Sequence, residues 1–252
     1  MIFINKNNNS LIEAIFNGEG FYTDKTLKEA EFNYLYETVQ NSYSDTLSHY
    51  MPDGEKNYDI KDYEKLDLNN EHKKIWTKSN RILKEKVVKH WIDNSELISY
   101  LKAELGNIKI SDEEDIGYPN VYWRLVRSNK KEDIGPLHRD EWFWILNDNY
   151  KDSESQTRIK VWIPLLTETG QNGLLVLPNS HKDESIKWNK FDRDGEPKPK
   201  LYSFINNKDL KLLNLNKKNL VIFNDRLLHG GALNKGTLPR VSLEFTIFIN
   251  KL

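Results

Sequence analysis

Apolar residues recur at helical spacing in the first part of the chain and at alternating spacing in the second. From Thr26 to about Tyr43, Leu27, Ala30, Tyr34, Leu35 and Val39 mark one face of an expected helix. Residues 44 to 70 hold Pro52, Gly54 and many Asp and Asn, and predict a loop-rich segment. From His72 to Trp91 a second helical stripe runs through Ile75, Trp76, Leu83, Val87, Val88 and Trp91. Asp93-x-x-Glu96 has the form of a capping box with Asp in the lead. Leu97, Leu101 and Leu105 follow, and Gly106 is placed to stop that helix.

After Gly117 the period changes. "YPNVYWRLVRS", "RIKVWIPLL", "GLLVLP", "LVIF" and "RVSLEFTIFI" are β-branched and aromatic, and Gly, Asn and Pro turns separate them. The run 187 to 200, "KWNKFDRDGEPKPK", is polar and Pro-containing and reads as a long loop, either a binding loop or a solvated insertion. Helices first and short strands afterwards predict a mainly β fold with N-terminal helices packed on a sandwich or jelly-roll core. A length of 252 residues suits one domain, 1-252, with 1-117 mainly helical and 118-250 forming the β core.

Composition narrows the chemistry. Lys and Arg number 37 against 38 Asp and Glu, so no global field favours nucleic acid or an anionic membrane. No apolar run approaches the length of a membrane span. The chain has no cysteine, which excludes disulfides and thiolate metal sites and leaves His and carboxylate as metal ligands. Cysteine-free composition suits a reducing compartment, and MIFINKNNNS lacks the pattern of a signal peptide, so a cytoplasmic protein is expected.

The stretch "PLHRDEWFW" holds the sharpest chemical motif. His138-Arg139-Asp140 matches a protein-kinase catalytic loop, but that loop needs Asn five residues after the Asp, where Ile145 stands. No glycine-rich loop or Asp-Phe-Gly accompanies it. The second reading is a metal site. A non-haem iron centre takes two His and one carboxylate on one face and keeps the other open. His-x-Asp serves at a strand end, because side chains two apart point the same way. The second His must come from a distant strand. His229 in "FNDRLLHGGAL" is the best placed, since Gly230 and Gly231 after it allow close backbone approach. His181 follows "LPNS" at an expected turn and fits a hydrogen-bonding role better than a ligand's. His49, His72 and His90 lie in the helical part and read as ordinary residues.

Arg240 opens the last strand. Alternation places Arg240, Ser242, Glu244 and Thr246 on one face and Val241, Leu243, Phe245 and Ile247 on the other. An arginine entering a barrel interior requires an anion, and a dicarboxylate held in its two-pronged fork would supply one. Ser242 is placed to add a hydrogen bond. Of the aromatics, Trp142 and Trp144 would share a strand face with Asp140, and with Trp162 they are candidates to wall a pocket. Lys187, Arg193 and Lys198 in the polar run would face an anionic substrate if that loop closes.

The segments "LHRDEWFW", "VWIPLLTETGQNGLLVLPNSHK" and "FNDRLLHGGALNKGTLPRVSLEFTIF" together resemble the phytanoyl-CoA dioxygenase family of Fe(II)/2-oxoglutarate oxygenases, over roughly residues 118 to 250. Asn179 stands where that family's Pro-Gly-Ser-His has Gly. The resemblance implies a double-stranded β-helix, Fe(II) bound by His138, Asp140 and His229, and 2-oxoglutarate and O2 as co-substrates. Arg240 and Ser242 would grip the far carboxylate of 2-oxoglutarate. Arg124 and Tyr122, on the strand before His-x-Asp, are further co-substrate candidates, and Trp144 matches an aromatic found near the iron. The implied activity is that of a dioxygenase, most simply a hydroxylase acting on a small-molecule or carrier-linked metabolite. Desaturation, epimerisation or ring formation would use the same cofactors. A cupin-like isomerase or a non-catalytic metal-binding barrel is the alternative of another class, and Arg240 argues against it. Relatives that halogenate carry a small residue in place of the iron carboxylate. Asp140 retains the carboxylate, which implies oxygen-derived chemistry. The resemblance does not transfer a substrate.

Overall fold

The protein is described from a computed structural model covering residues 10–51, 58–66, 68, 71–146, 156–193, 195–216 and 218–250. Pro52 and Gly54 of the expected loop segment lie outside the described residues. The first long helix, α1 (Glu29–Tyr50), runs past the expected end at Tyr43. Its apolar stripe continues through Leu47, so nothing in the local pattern ends it earlier.

The stripe from His72 to Trp91 is one helix in the sequence reading and three pieces in the structure: α2 (His72–Ile75), a 3-10 turn (Ser79–Arg81) and α3 (Glu85–Asn94). Tertiary bonds divert the backbone between them. Asn80 Nδ2 donates to Ile75 O at 2.7 Å, and Leu83 N donates to Val121 O at 3.0 Å. The next helix, α4 (Glu96–Leu105), is capped by Ser95, whose Oγ accepts from Ile98 N. The capping residue is therefore Ser95 and not Asp93, two positions earlier. Ser95 lies on α1's Glu31, which also accepts from Trp91 Nε1 at 2.9 Å, so one carboxylate ties the α3–α4 junction to α1. Gly106 ends α4 at φ 78°, as its position predicts.

Among the described residues the strands are β1 (Phe21–Tyr22), β2 (Ile108–Ile110), β3 (Tyr122–Val126), β4 (Gln156–Leu166), β5 (Leu174–Val176), β6 (Trp188–Arg193), β7 (Glu196–Leu201), β8 (Lys211–Leu212), β9 (Val221–Asn224), β10 (His229–Gly231) and β11 (Arg240–Asn250). The large sheet has the order β1-β9-β4-β11-β2, with β3 also paired to β11, and a small sheet runs β10-β5-β8. All pairings are antiparallel. Facing antiparallel sheets behind N-terminal helices make the jelly-roll, cupin-like architecture that the strand pattern predicts. Two strands of the large sheet, β1 and β2, come from the mainly helical N-terminal part.

Alternation sorts the large sheet into two faces. Ile159, Val161 and Ile163 of β4, with Leu243, Phe245 and Ile247 of β11, enter one core together with Leu35, Val39 and Tyr43 of α1 and Leu101 of α4. Tyr43 stacks on Trp76 there, with centroids 5.4 Å apart, and Trp76 meets Trp123 edge-to-face at 5.1 Å. The opposite face looks at the small sheet, where Trp162, Phe223, Leu174, Val176 and Leu227 pack. That inner face also carries the polar positions of β4 and β11, which is where the site forms.

The run 187 to 200 is not a loop. β6 and β7 form a two-stranded hairpin, Trp188 opposite Leu201. Trp188 stacks on Trp142 at 5.5 Å, which anchors the hairpin to the core.

His72 gives the helical part a pH signature. It is buried, its Nδ1 bonded to Tyr63 Oη at 2.9 Å and its Nε2 3.6 Å from Asp133. Burial pushes the imidazole down to about 4 from its ordinary 6.5, against the pull of Asp133. The unfolded chain thus takes up a proton below pH 6.5 that the folded chain refuses until about 4. Stability is complete above that window and falls as the pH drops through it, by on the order of 3 kcal/mol. Urea midpoints at neutral and mildly acid pH should show this decline in the wild type. A shallower decline is expected in His72→Asn; an equal one would assign the pH dependence to other groups.

Candidate metal centre

His229 opens β10 and His138 pairs with it as an isolated antiparallel bridge. Each backbone donates to the other, His138 N to His229 O and His229 N to His138 O, both at 2.9 Å. The two imidazoles therefore stand side by side, ring centroids 4.5 Å apart. Asp140 is not on a strand. It begins the short helix α5 (Asp140–Leu146), so the sharing of a strand face expected for His138, Asp140, Trp142 and Trp144 does not hold. The turn into the helix brings the carboxylate round to the imidazoles: Oδ1 lies 3.5 Å from His138 Nε2 and Oδ2 3.7 Å from His229 Nε2. Potential ligand atoms of His138, Asp140 and His229 all fall within 4.8 Å of one another.

Both imidazoles are oriented by the chain two residues before them. His138 Nδ1 donates to Pro136 O and His229 Nδ1 to Leu227 O, each at 2.9 Å. These bonds fix the tautomer and leave the Nε2 lone pairs turned to the carboxylate, the second partner that metal-binding histidines usually need. Burial pushes His229 down to about 4, so it is neutral at physiological pH. Burial alone would raise the Asp140 carboxyl, but Lys160, His229 and His138 outweigh it and hold it well below the usual carboxylate range. A carboxylate and two imidazoles with free Nε2 atoms are the donor set a divalent cation takes. Asp140 Oδ2 is buried with no hydrogen-bond partner, as a ligand oxygen would be.

A second group of unpartnered polar atoms lies on the same inner face. Arg240 is buried, donates through Nη1 to Gly173 O at 2.6 Å, and has no partner for Nε. Ser242 Oγ, two residues along, is also buried without a partner. Burial and the neighbouring Arg124 push Arg240 down to about 10, still charged. A carboxylate would satisfy all three demands: the charge, the Nε–H and the serine hydroxyl. Gly231 makes the room, because a Cβ there would sit 3.0 Å from Arg240 Nη2. The residues thus fit a divalent metal and a carboxylate co-substrate.

The other expected residues spread around this chamber. Arg124 lies across the ladder from Ser242 and is held by Glu244, with Nη2 2.6 Å from Oε1. Tyr122 Oη donates to Glu114 Oε1 at 2.8 Å. Trp144 packs edge-on against Phe248, with Arg158 5.3 Å over its ring. Trp142 is buried with Ile186 and Leu228 under the hairpin, and Trp162 belongs to the core between the sheets. His181 has the hydrogen-bonding role expected of it, Nε2 donating to Phe16 O at 3.1 Å.

Phe143, one of the aromatics expected to wall a pocket, and Lys160 neighbour the triad, and Glu113 neighbours Lys160; the last two escape the sequence reading. Phe143 stands edge-on to His138 at 5.3 Å. Lys160 faces inward on β4 close enough to be the strongest charge acting on Asp140. Its signal was a lone Lys inside the apolar run "RIKVWIPLL". Glu113, which binds Thr246 Oγ1, had no such signal, since it sits in the acidic run "DEED" that reads as a solvated loop.

Comparison with known proteins agrees with this geometry. The family described as phytanoyl-CoA dioxygenase (PhyH) matches residues 26–242. No curated protein matches the chain in sequence. Among solved structures, the apo form of the non-heme monooxygenase ThoJ aligns over 95% of this chain and 77% of its own, with 11% identity and a TM-score of 0.61. Its nickel complex aligns over the same shares at 12% identity and a TM-score of 0.55. The epimerase SnoN, in complex with Fe3+, alpha ketoglutarate and nogalamycin RO, aligns over 94% of this chain and 81% of its own, at 13% identity and a TM-score of 0.51. At such identities the likeness shows a common fold. A jelly roll carrying an inward His-Asp-His group defines the class of non-haem iron, 2-oxoglutarate-dependent oxygenases. Within that class the chain belongs to the phytanoyl-CoA dioxygenase family. The cofactors of the class are iron, 2-oxoglutarate and O2. No helix among the described residues is long and apolar enough to cross a membrane.

Proposed function

We propose that residues 1-252 form a single oxygenase domain in which His138, Asp140 and His229 hold Fe(II), Arg240 and Ser242 hold the far carboxylate of 2-oxoglutarate, and a small molecule is hydroxylated. The observation that carries this reading is the triad itself, with both Nδ1 atoms engaged and both Nε2 atoms turned to one carboxylate. When bound, the iron supplies activation of O2 coupled to oxidative decarboxylation of 2-oxoglutarate. The chain's own part is to fix positions and charge. Pro136 O and Leu227 O hold the imidazoles, Arg240 and Ser242 set the co-substrate's reach, and Arg124, Tyr122 and Trp144 stand at the chamber walls. Phe143 shields His138 on its outer side. Desaturation, epimerisation or ring closure would need the same groups, and where the substrate's C–H bond sits decides among them. A cysteine-free chain suits work in the reducing cytoplasm.

With the metal held, Asp140 would be a ligand where a halide would otherwise bind and would add negative charge beside it, so an oxygen-derived product is expected. The protein supplied with Fe(II), 2-oxoglutarate and air should form succinate, lose this activity to a chelator and regain it with Fe(II). Turnover under labelled O2 with excess chloride should give labelled, halogen-free product. Halogen in that product would refute the role given to Asp140, and unlabelled oxidised product would move the assignment to desaturation or ring closure.

A further inference from the structure

Lys160 is an inward-facing charge on β4 that the co-substrate and metal roles leave over; Arg158, two residues earlier on the same face, is already paired with Asp225. Lys160 sits opposite Thr246 on β11, and its neighbours on the inner face are Trp162, Glu244 and Asp140. Only 8% of the residue is exposed. Its ammonium makes one long hydrogen bond, 3.3 Å to Thr246 Oγ1, and lies 3.8 Å from Glu113 Oε1. An ammonium has three donors, and buried donors are normally filled. Among the described residues the remaining donors of Lys160 have no partner within hydrogen-bond distance, and the ammonium is the strongest charge acting on Asp140 of the triad. This buried, under-used cation calls for an oxygen acceptor from outside the chain.

Position argues that the acceptor is not 2-oxoglutarate. Arg240 and Thr246 lie six residues apart on one strand, which separates their Cα atoms by roughly 20 Å. A five-carbon diacid gripped by Arg240 is far shorter than that. Lys160, opposite Thr246, stands toward the other end of this wall from Arg240.

The surrounding charges select the substrate's chemistry. Around Lys160 stand Glu113, Asp140 and Glu244, with Arg124 behind Glu244. A free anion placed here meets three carboxylates, and a free cation meets Lys160 and Arg124. A hydroxyl group suits both, because it accepts from an ammonium and donates to a carboxylate. Neighbouring hydroxyls could use the two together, one accepting from Lys160 and the next donating to Glu113 or Thr246. Across the triad, Phe143 is 37% exposed and offers an apolar ring face, which complements the C–H face of a saturated ring. We propose that Lys160, Thr246 and Glu113 form a recognition subsite for a hydroxyl-bearing substrate, a sugar ring or a comparable polyol. The proposal rests on the reading that the triad holds the iron.

The test is equilibrium binding without turnover. Wild-type protein, loaded with Mn(II) and 2-oxoglutarate under anaerobic conditions, is titrated with a panel of neutral methyl glycosides, with glycine betaine and with acetyl-CoA. Calorimetry or tryptophan fluorescence reads the binding. At least one methyl glycoside should bind. Lys160→Met and the isosteric Glu113→Gln should each weaken it by about tenfold or more, as loss of a hydrogen bond to a charged group does, while 2-oxoglutarate affinity stays within about twofold. The subsite is refuted if no glycoside binds, if betaine or acetyl-CoA binds in their place, or if the variants leave glycoside binding unchanged. A loss of 2-oxoglutarate affinity in both variants would also refute it, assigning Lys160 to the co-substrate. Wild-type protein that binds neither Mn(II) nor 2-oxoglutarate overturns the underlying iron reading, and this shows before any sugar is added.

Discussion

His229→Ala should lower the formation of succinate from 2-oxoglutarate by orders of magnitude and leave Mn(II) binding too weak to saturate near one equivalent. His229 contributes both a ligand atom and half of the backbone bridge to His138, but alanine keeps the bridge, since it uses only N and O of the main chain. The variant therefore loses a ligand and little of the fold. A bound metal contributes several kcal/mol to a reaction through charge stabilisation, and at 1.36 kcal/mol per decade its loss lowers the rate on the order of a thousandfold or more. His138→Ala should behave alike. Circular dichroism and the urea midpoint check that the fold persists. Undiminished Mn(II) binding in both variants would remove them from the site and return attention to His181, whose Nδ1 has no partner in the structure.

Arg240→Ala should raise the concentration of 2-oxoglutarate needed for half-saturation while the metal still binds. Arg240 is fully enclosed between Gly173 O and Gly231, and loss of one member of a buried, charged hydrogen-bonded pair costs on the order of 2–5 kcal/mol. That corresponds to roughly thirtyfold to several thousandfold in affinity. Arg240→Lys should restore only part, because an ammonium cannot form the two-pronged contact. Gly231→Ala gives an independent check. Its added Cβ falls 3.0 Å from Nη2 and must displace the guanidinium, so co-substrate affinity should drop with Arg240 intact. Calorimetric titration of the Mn(II)-loaded proteins separates the effects. Unchanged 2-oxoglutarate affinity in Arg240→Ala would show that some other cation, with Arg124 the nearest choice, holds the carboxylate.

Residue type makes the triad readable in the sequence, although strand alternation is not what brings its side chains together. His-x-Asp suggested a strand end with alternating side chains, whereas the chain turns into α5 at Asp140 and Trp142 and Trp144 follow helical directions. The motif survives because a tight turn brings the carboxylate back as effectively as alternation would. The polar run after Lys187 was misread for a different reason. Its strands are polar on both faces and hold Pro197 and Pro199, so neither alternation nor β-propensity marks them. The usable signal was Asp194-Gly195, a hairpin-turn pair, with Gly195 at φ 82°. The stripe through Ile75, Trp76 and Leu83 broke where the backbone of Leu83 found Val121, a contact no local pattern contains.

Sequence by itself determined the inner and outer faces of β11, because the period of two is built into the strand and one apolar face must leave water. It also determined the donor types available to a metal, since a chain without cysteine has only imidazole and carboxylate to offer. Tertiary structure decided which of those groups meet. His138 and His229 become neighbours only through a backbone bridge between segments far apart in the chain, and Lys160, Glu113 and Glu244 acquire chemical meaning only when β4, β11 and the loop after β2 close round Asp140. Alternation fixes the direction a side chain points, and only the pairing of distant strands fixes what it points at.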